Sequence, residues 1–431
     1  MEIRDPIHGS IFLSEGEEAI IESVEFQRLR EIKQLGFSEF SFPGATHNRF
    51  LHSIGVSHIS GKIFDNIFKA YPFQKSSNKN RFKILVKLAA LLHDIGHGPL
   101  SHTTEVVMPL VSDLNVAAYN QSGKIHASHT DRRANHEDYT IKFVTASNIT
   151  ELIKKHYSDI DPYHVACLID KNLFCDETVF TDGKINYRPL LSQLVSSELD
   201  ADRMDYLERD SYYCGITYGN IDRDWLIQNL TIHIVDYTAN LALNRRALYA
   251  FDDFLISRHH MHLMVYFHHK SVIYDEMLVR YLSSTDCKFF LPANIEDYIS
   301  YTDYKLYEHL DDVQNPWAVR ISERTPYRVA TELHNQDGTR VQNAKQILTE
   351  KNIDFIYTSS NIRLSKYHAT ASDEQSHIYV VDQYDKWDKP APINSATQIF
   401  QKYEGARIID RIYVSPENLN LAKKILTEIK Y

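Results

Sequence analysis

Residues 91–102 read Leu-Leu-His-Asp-Ile-Gly-His-Gly-Pro-Leu-Ser-His. Just upstream, Ile84 to Leu92 is apolar almost all round, interrupted only by Lys87. A helix without a polar face belongs inside a core. This one closes on His93 and Asp94, with His97 one turn beyond. Ionisable groups carried into a core need partners or a metal ion to offset their desolvation. Gly96, Gly98 and Pro99 then break the helix, so His97 and His102 fall where the backbone opens.

Composition sets the bounds. The 431 residues allow one large core and a smaller domain, and 43% hydrophobic with 24% charged residues describes an ordinary globular chain. The start, Met1-Glu2-Ile3-Arg4-Asp5, lacks a signal-peptide pattern, and no run reaches the ~20 apolar residues that span a bilayer. Cys167, Cys175, Cys214 and Cys287 are scattered, which fits a reducing compartment. The expectation is a cytoplasmic protein with no membrane partner. A net charge of −10 argues against nucleic acid as the main partner.

Outward from the opening motif, Ile3 to Leu13 reads as extended, and Glu17 to Leu35 as a helix ended by Gly36. The stretch Phe42 to Ser53 is turn-rich and then helical to about Ala70. Lys75 to Asn80 reads as a polar break before a buried helix over 82–95. Residues 113–135 read as a long mobile loop, and His136-Glu137 opens further helices that run to about Ile169. A polar hairpin is expected near Thr181–Lys184. Ser192 to Tyr213 reads as one helix, with Asp202, Tyr206 and Asp210 on one face at i, i+4 and i+8. Tyr249 to Leu282 reads as another, carrying Arg258, His262 and Tyr266 at the same spacing. Such rows also suit a solvated stripe or aromatic packing. Strands are expected at Ile353–Tyr357, His377–Val381 and Arg407–Val414, with a closing helix over Asn418–Lys430. The chain therefore divides into a mainly α core over 1–320 and a smaller C-terminal α+β lobe over 321–431.

Four candidate ligands stand out: His52, His93, Asp94 and Asp202. Two imidazoles with two carboxylates suit a divalent ion such as Mn²⁺, Mg²⁺, Fe²⁺, Ni²⁺ or Zn²⁺. No cysteine joins them, which argues against a structural zinc site.

Several longer stretches follow one another in a fixed order over residues 1–220. They are Arg4-Asp5-Pro6-Ile7-His8-Gly9, Phe26 to Gly36, Phe42 to Val56, the motif at 91–102, Asn135-His136-Glu137 and Leu199 to Asp210. Together they resemble the HD-domain phosphohydrolases, and among these the deoxynucleoside triphosphate triphosphohydrolases, dGTPase-like enzymes included. The resemblance implies a mostly helical HD fold and hydrolysis of a dNTP to a deoxynucleoside and inorganic triphosphate.

It also implies roles. His52, His93, Asp94 and Asp202 match the family's metal ligands. His136 matches the histidine that protonates the leaving 5′ oxygen, with Glu137 beside it to orient the ring. His97 and His102 match histidines lining the α-phosphate and the attacking water. Arg49, Arg203 and Arg258 match phosphate contacts, Gln34 and Asp210 the groups on the sugar 3′-hydroxyl, and Tyr206 and Tyr266 the residues packed on the sugar. Leu35 and His262 complete the expected substrate surface. Phe267 departs from a polar base contact, so base preference does not carry over. A second, activating nucleotide site is matched only by Glu22, Gln27 and Arg30, with Met1 and Arg4 departing from the pattern. Self-association as a dimer or tetramer is implied too. The alternatives are an HD phosphatase or phosphodiesterase acting on nucleoside monophosphates or cyclic nucleotides, and a nucleotide- or nucleic-acid-binding module with weak catalysis.

Overall fold

The computed structural model describes residues 1–120, 132–334, 338–362, 364, 378–382, 384, 389–399 and 407–427. The protein is mainly α, a helical core with a small C-terminal α+β lobe.

The chain opens with an antiparallel hairpin of β1 (Glu2–Asp5) and β2 (Gly9–Phe12). Two short helices follow, α1 (Glu15–Ile21) and α2 (Val24–Gln27), and then a 3-10 turn over Arg28–Glu31. The continuous helix expected over Glu17–Leu35 is thus broken. Ser23 accepts from Phe26 N and starts a new helix, a side-chain competition that hydrophobic spacing does not register. Two long helices pack together next, α3 (Arg49–Ile67), capped by Asn48, and α4 (Ser76–Leu92). The polar stretch 75–80 is the first turn of α4 rather than a break. Asp182 accepts there from Gln74 N at 2.6 Å and Lys75 N at 3.1 Å.

α5 (Val111–Leu114) and a 3-10 turn at Ala117–Asn120 occupy the start of the segment expected as a loop. Leu110 bridges Arg133, which brings its two ends together; the rest of that segment, 121–131, lies outside the described residues. α6 (His136–Thr145) begins in a capping box on Asn135, and α7 (Asn148–His156) and α8 (Pro162–Ile169) follow. β3 (Thr181–Asp182) and β4 (Ile185–Asn186) make the expected hairpin.

The helix expected from Ser192 to Tyr213 is two, α9 (Arg188–Val195) and α10 (Ala201–Cys214). Asp200 divides them by accepting from Ser197 N at 2.6 Å and Arg203 N at 2.8 Å. α11 (Arg223–Asn229) leads to β5 (Leu230–Val235) and β6 (Thr238–Asn244), an antiparallel pair absent from the sequence reading. The helix expected over Tyr249–Leu282 is also two, α12 (Leu248–Met261) and α13 (His269–Leu282), joined through a π-helical turn at His262–Tyr266. α14 (Ile295–Tyr298), α15 (Asp303–Asp312) and α16 (Pro316–Ser322) complete the core.

In the lobe, β7 (Arg328–His334), β8 (Phe355–Ile362) and β11 (Arg407–Val414) form an antiparallel sheet with β11 central. α17 (Gly338–Glu350) and α19 (Leu419–Thr427) cover it through a separate small core of Ala344, Leu348, Ile412, Val414 and Ala422. The described residues between β8 and β11 lie outside that sheet. β9 (Tyr379–Val381) pairs in parallel with β6 and antiparallel with β10 (Ala391–Pro392), followed by the single turn α18 (Ile393–Ala396). The C-terminal segment thereby packs back on the helical core. Among the described residues no helix is long and apolar enough to cross a membrane.

Candidate active site

α4 ends at Leu92, and residues 93–101 leave it as a tight loop held by side chains from far along the chain. Arg28 Nη2 donates to the carbonyls of Ile95 and His97, both at 2.8 Å, and so satisfies two loop carbonyls with one cation. Tyr298 donates to Gly96 O at 2.8 Å. Asp303 accepts from Leu100 N at 2.7 Å and Lys33 N at 2.9 Å, fixing the left-handed backbone at Leu100. On the other side α6 lies so close that a Cβ at Gly96 would collide with the His136 carbonyl and the Thr140 backbone. Gly96→Ala is expected to push α6 outward and cut turnover about 10²-fold, the cost of misplacing a reacting group by ~1 Å. Metal content should stay normal; metal analysis beside turnover checks both, and an unchanged rate would contradict the packing argument.

Within this frame the four expected ligands converge. His52 Nε2 lies 3.1 Å from Asp202 Oδ1 and 3.6 Å from Asp94 Oδ2. His93 Nε2 lies 3.4 Å from Asp94 Oδ1 and 3.7 Å from Asp202 Oδ1. Donor atoms around one ion at 2.0–2.2 Å stand about 3–3.5 Å apart, so the spacing fits a shared cation. The remaining ring nitrogens are engaged: His93 Nδ1 donates to Ala90 O at 2.7 Å and His52 Nδ1 to Asp205 Oδ2 at 2.8 Å. Both Nε2 atoms are buried without a hydrogen-bond partner, and His52, His93 and Asp94 form a group able to hold a metal ion. The donor set fits a divalent cation.

Burial alone would push His52 down, but the carboxylates of Asp202 and Asp205 outweigh it and carry the imidazole up to about 10. Without a metal the ring holds a proton at neutral pH, and a metal must displace it. Apparent metal affinity should therefore strengthen as pH rises from 6 to 8, by up to about tenfold per unit for one released proton. Chelator competition across that range measures it; pH-independent affinity would contradict the assignment of His52.

Beside this cluster lie His97, His102 and His136, a second group of close imidazoles. The His97 and His136 rings stack at 3.8 Å, and His97 Nε2 is 3.4 Å from Asp94 Oδ1. Burial and the nearby Arg49 push His97 well below the usual range, so the ring is neutral. One expectation is corrected here. Glu137 is exposed, and the carboxylate on His136 is Glu105, which accepts from His136 Nδ1 at 2.7 Å and His102 Nδ1 at 3.1 Å. Glu105 lies three residues past His102, and that spacing was the signal that could have found it. Against a burial penalty, the two imidazoles hold Glu105 down to about 2.

The expected phosphate cations are all engaged. Arg49 pairs with Asp94 and also donates to Ser101 Oγ at 2.8 and 3.0 Å. Arg203 pairs with Asp200. Arg258 pairs with Glu198 at 2.6 Å and donates to Leu364 O at 2.8 Å, a contact from the C-terminal lobe. The expected sugar residues also come together. Asp210 accepts from Tyr266 OH and His47 Nε2, each at 2.8 Å, and the Tyr206 and Tyr266 rings meet edge-on at 6.2 Å. The π-helical turn carries His262 against Tyr266 at 4.8 Å, with His262 Nδ1 donating to Arg258 O; burial lowers His262 to about 4. Gln34 Oε1 is buried and unpaired on the strand-like link beside His47, and Leu35 is half-buried against the core.

A helical core whose short-range His-Asp pair meets a distant aspartate defines a class. The chain matches the HD domain over residues 49–210 and the HD associated region over residues 221–355, and it belongs to the HD-domain hydrolase superfamily. Its relatives narrow this further. Human deoxynucleoside triphosphate triphosphohydrolase SAMHD1 is 29% identical over 327 residues, 72% of this chain and 48% of its own. An uncharacterized protein of Methanocaldococcus jannaschii is 32% identical over 326 residues, 76% of this chain and 58% of its own. The crystal structure of a hypothetical protein from Aquifex aeolicus superposes with a TM-score of 0.75 at 28% identity, covering 99% of both chains. This chain spans about half to three fifths of the first curated relatives it matches. The family is thus the HD-domain group that includes the deoxynucleoside triphosphate triphosphohydrolases.

Proposed function

We propose that this protein hydrolyses deoxynucleoside triphosphates to a deoxynucleoside and inorganic triphosphate. The observation that carries the reading is adjacency: the His136–Glu105 pair stands directly beside the ligand cluster, with His97 stacked between them. A proton donor and a candidate ion so arranged would act on either side of one scissile bond. The similarity to an enzyme named for this reaction supports it.

A divalent ion held by His52, His93, Asp94 and Asp202 would supply, when bound, acidified water and neutralisation of phosphate charge. Water adds to the α-phosphorus, the bond from phosphorus to the 5′ oxygen breaks, and His136 Nε2 delivers a proton to that oxygen. Glu105 holds Nδ1–H of the same ring, so Nε2 is the nitrogen left to face the leaving group. Arg49, Arg203 and Arg258 exchange carboxylate partners for phosphate oxygens, since planar guanidinium binds either in the same two-pronged way. Asp210 and Gln34 take the 3′-hydroxyl, while Tyr206 and Tyr266 pack on the sugar. The same reading carries self-association as a dimer or tetramer, which light scattering on the eluted protein measures.

The test is chromatographic identification of products from each of the four dNTPs and from GTP, with Mn²⁺ or Mg²⁺. Release of deoxynucleoside with triphosphate is expected, and metal-stripped protein should release neither. Stepwise loss of phosphate to dNDP and dNMP would overturn the proposal in favour of an HD phosphatase. Where single dNTPs are inert, mixtures with dGTP test an activating nucleotide bound near Gln27 and Arg30, whose side chains meet at 2.7 Å. Silence in every mixture would favour a binding module.

A further inference from the structure

We propose that Asp205 is the positioning residue of the candidate metal centre, and that His8 of the N-terminal hairpin, with Arg209, holds it in place. The inference rests on His52 being a metal ligand.

Asp202 and Asp205 share a face of α10 at i and i+3. Asp202 enters the ligand cluster, whereas Asp205 approaches His52 from behind. Its side chain is completely buried and takes four donors on two oxygens. Oδ2 accepts from His52 Nδ1 and Arg209 Nε, both at 2.8 Å, and Oδ1 accepts from His8 Nε2 at 2.5 Å and Arg209 Nη2 at 2.8 Å. The proton roles follow from the partners. Arginine can only donate, so His8 Nδ1 accepts from Arg223 Nη1 at 3.0 Å, and His8 Nε2–H therefore donates to Asp205. A carboxylate can only accept, so Asp205 holds the His52 Nδ1–H and leaves Nε2 as the nitrogen that faces the cluster. Once the proton on Nε2 is displaced, that is the tautomer able to bind a metal.

The clamp also reaches the start of the chain. Arg209 Nη1 donates to Asp5 Oδ2 at 2.8 Å, and Asp5 Oδ1 accepts from Ile7 N and His8 N at 2.8 and 2.9 Å, shaping the turn that presents His8. α3 and α10 close tightly around the group. A Cβ at Gly55 would collide with Asp205 Oδ1 and Arg209 Nη2, so only glycine leaves room for them. A hairpin 40 residues upstream of His52 thus becomes part of how that ring is aimed.

Carboxylates behind metal-binding histidines typically contribute ~10–100-fold in metal affinity. Mn²⁺ affinity, read by competition with a fluorescent chelator, is expected to weaken about that much in Asp205→Asn, whose amide sets a donor against a donor. His8→Ala should weaken it by about tenfold, and His8→Gln, which keeps a donor toward Asp205, should stay near wild type. Melting in EDTA is run beside each. A purely structural role lowers the melting temperature and leaves the affinity of the folded protein untouched; unchanged affinity in folded Asp205→Asn and His8→Ala would overturn the proposal. Should Asp205→Asn fail to fold, the His8→Ala and His8→Gln pair decides it. If wild type binds Mn²⁺ no better than Asp94→Ala, the metal-centre reading itself falls. If Asp94→Ala loses Mn²⁺ while the His8 and Asp205 variants do not, only the positioning role falls.

Discussion

Asp94→Ala is expected to lose the divalent ion and to lower hydrolysis by about 10³-fold or more. Charge stabilisation by a metal is worth several kcal/mol, and each ~1.4 kcal/mol is tenfold in rate. Asp94 is the most connected member of the cluster: its two oxygens face His52, His93 and His97, and it pairs with Arg49. Its carboxyl is held well below the usual range, against the penalty of burial, by His93, Arg49 and His97, so it is ionised at every working pH. Removing it takes away a ligand and also frees Arg49 from its partner, so the loss is not restored by raising metal concentration alone. Metal content by mass spectrometry and turnover by chromatography check the two halves. Retained metal together with more than a tenth of the wild-type rate would remove Asp94 from the centre.

His136→Ala should cost about 10²–10⁴-fold in rate, the range for a positioned proton donor, while metal content stays at the wild-type level. The partner carboxylate gives a sharper signature. Glu105, held down to about 2, stays ionised across the working range and accepts from His136 Nδ1. Glu105→Gln should lower the rate without changing metal content, because an amide holds the ring less firmly than an ionised carboxylate does. Glu137→Gln should leave the rate in place. A rate altered by Glu137→Gln and untouched by Glu105→Gln would reverse the assignment drawn from the hydrogen bonds.

Much of the site was legible because its spacing is local. His93 and Asp94 are adjacent at the end of an apolar helix, and His97 follows one turn later. Asp202, Tyr206 and Asp210 fall on one face of α10, and Asn135-His136 starts a helix whose cap is visible as a residue type. Strand β11 matched its expected bounds because alternation and β-branched residues persist over its whole length. In three places the helices are shorter than the hydrophobic period predicts, for a common reason. Ser23, Asp200 and the π-helical turn before His268 end or restart helices through side-chain and backbone hydrogen bonds, while the hydrophobic period runs on across the break.

What the sequence alone determined is therefore the helical core, the order of its motifs, and which residue types gather at the end of α4. Only the tertiary structure decided which carboxylate faces which ring. Glu105 takes His136 in place of its sequence neighbour Glu137, Asp205 takes His52 across 153 residues, and Asp303 fixes Leu100 across 203. It also showed that Arg49, Arg203 and Arg258 each hold a carboxylate, and that β9 returns from the C-terminal lobe to pair with β6. The physical reason is range. Periodicity and capping act over three to eight residues and are written in the local pattern. A buried ion needs a compensating partner wherever packing brings one, and distance along the chain places no limit on where that partner comes from.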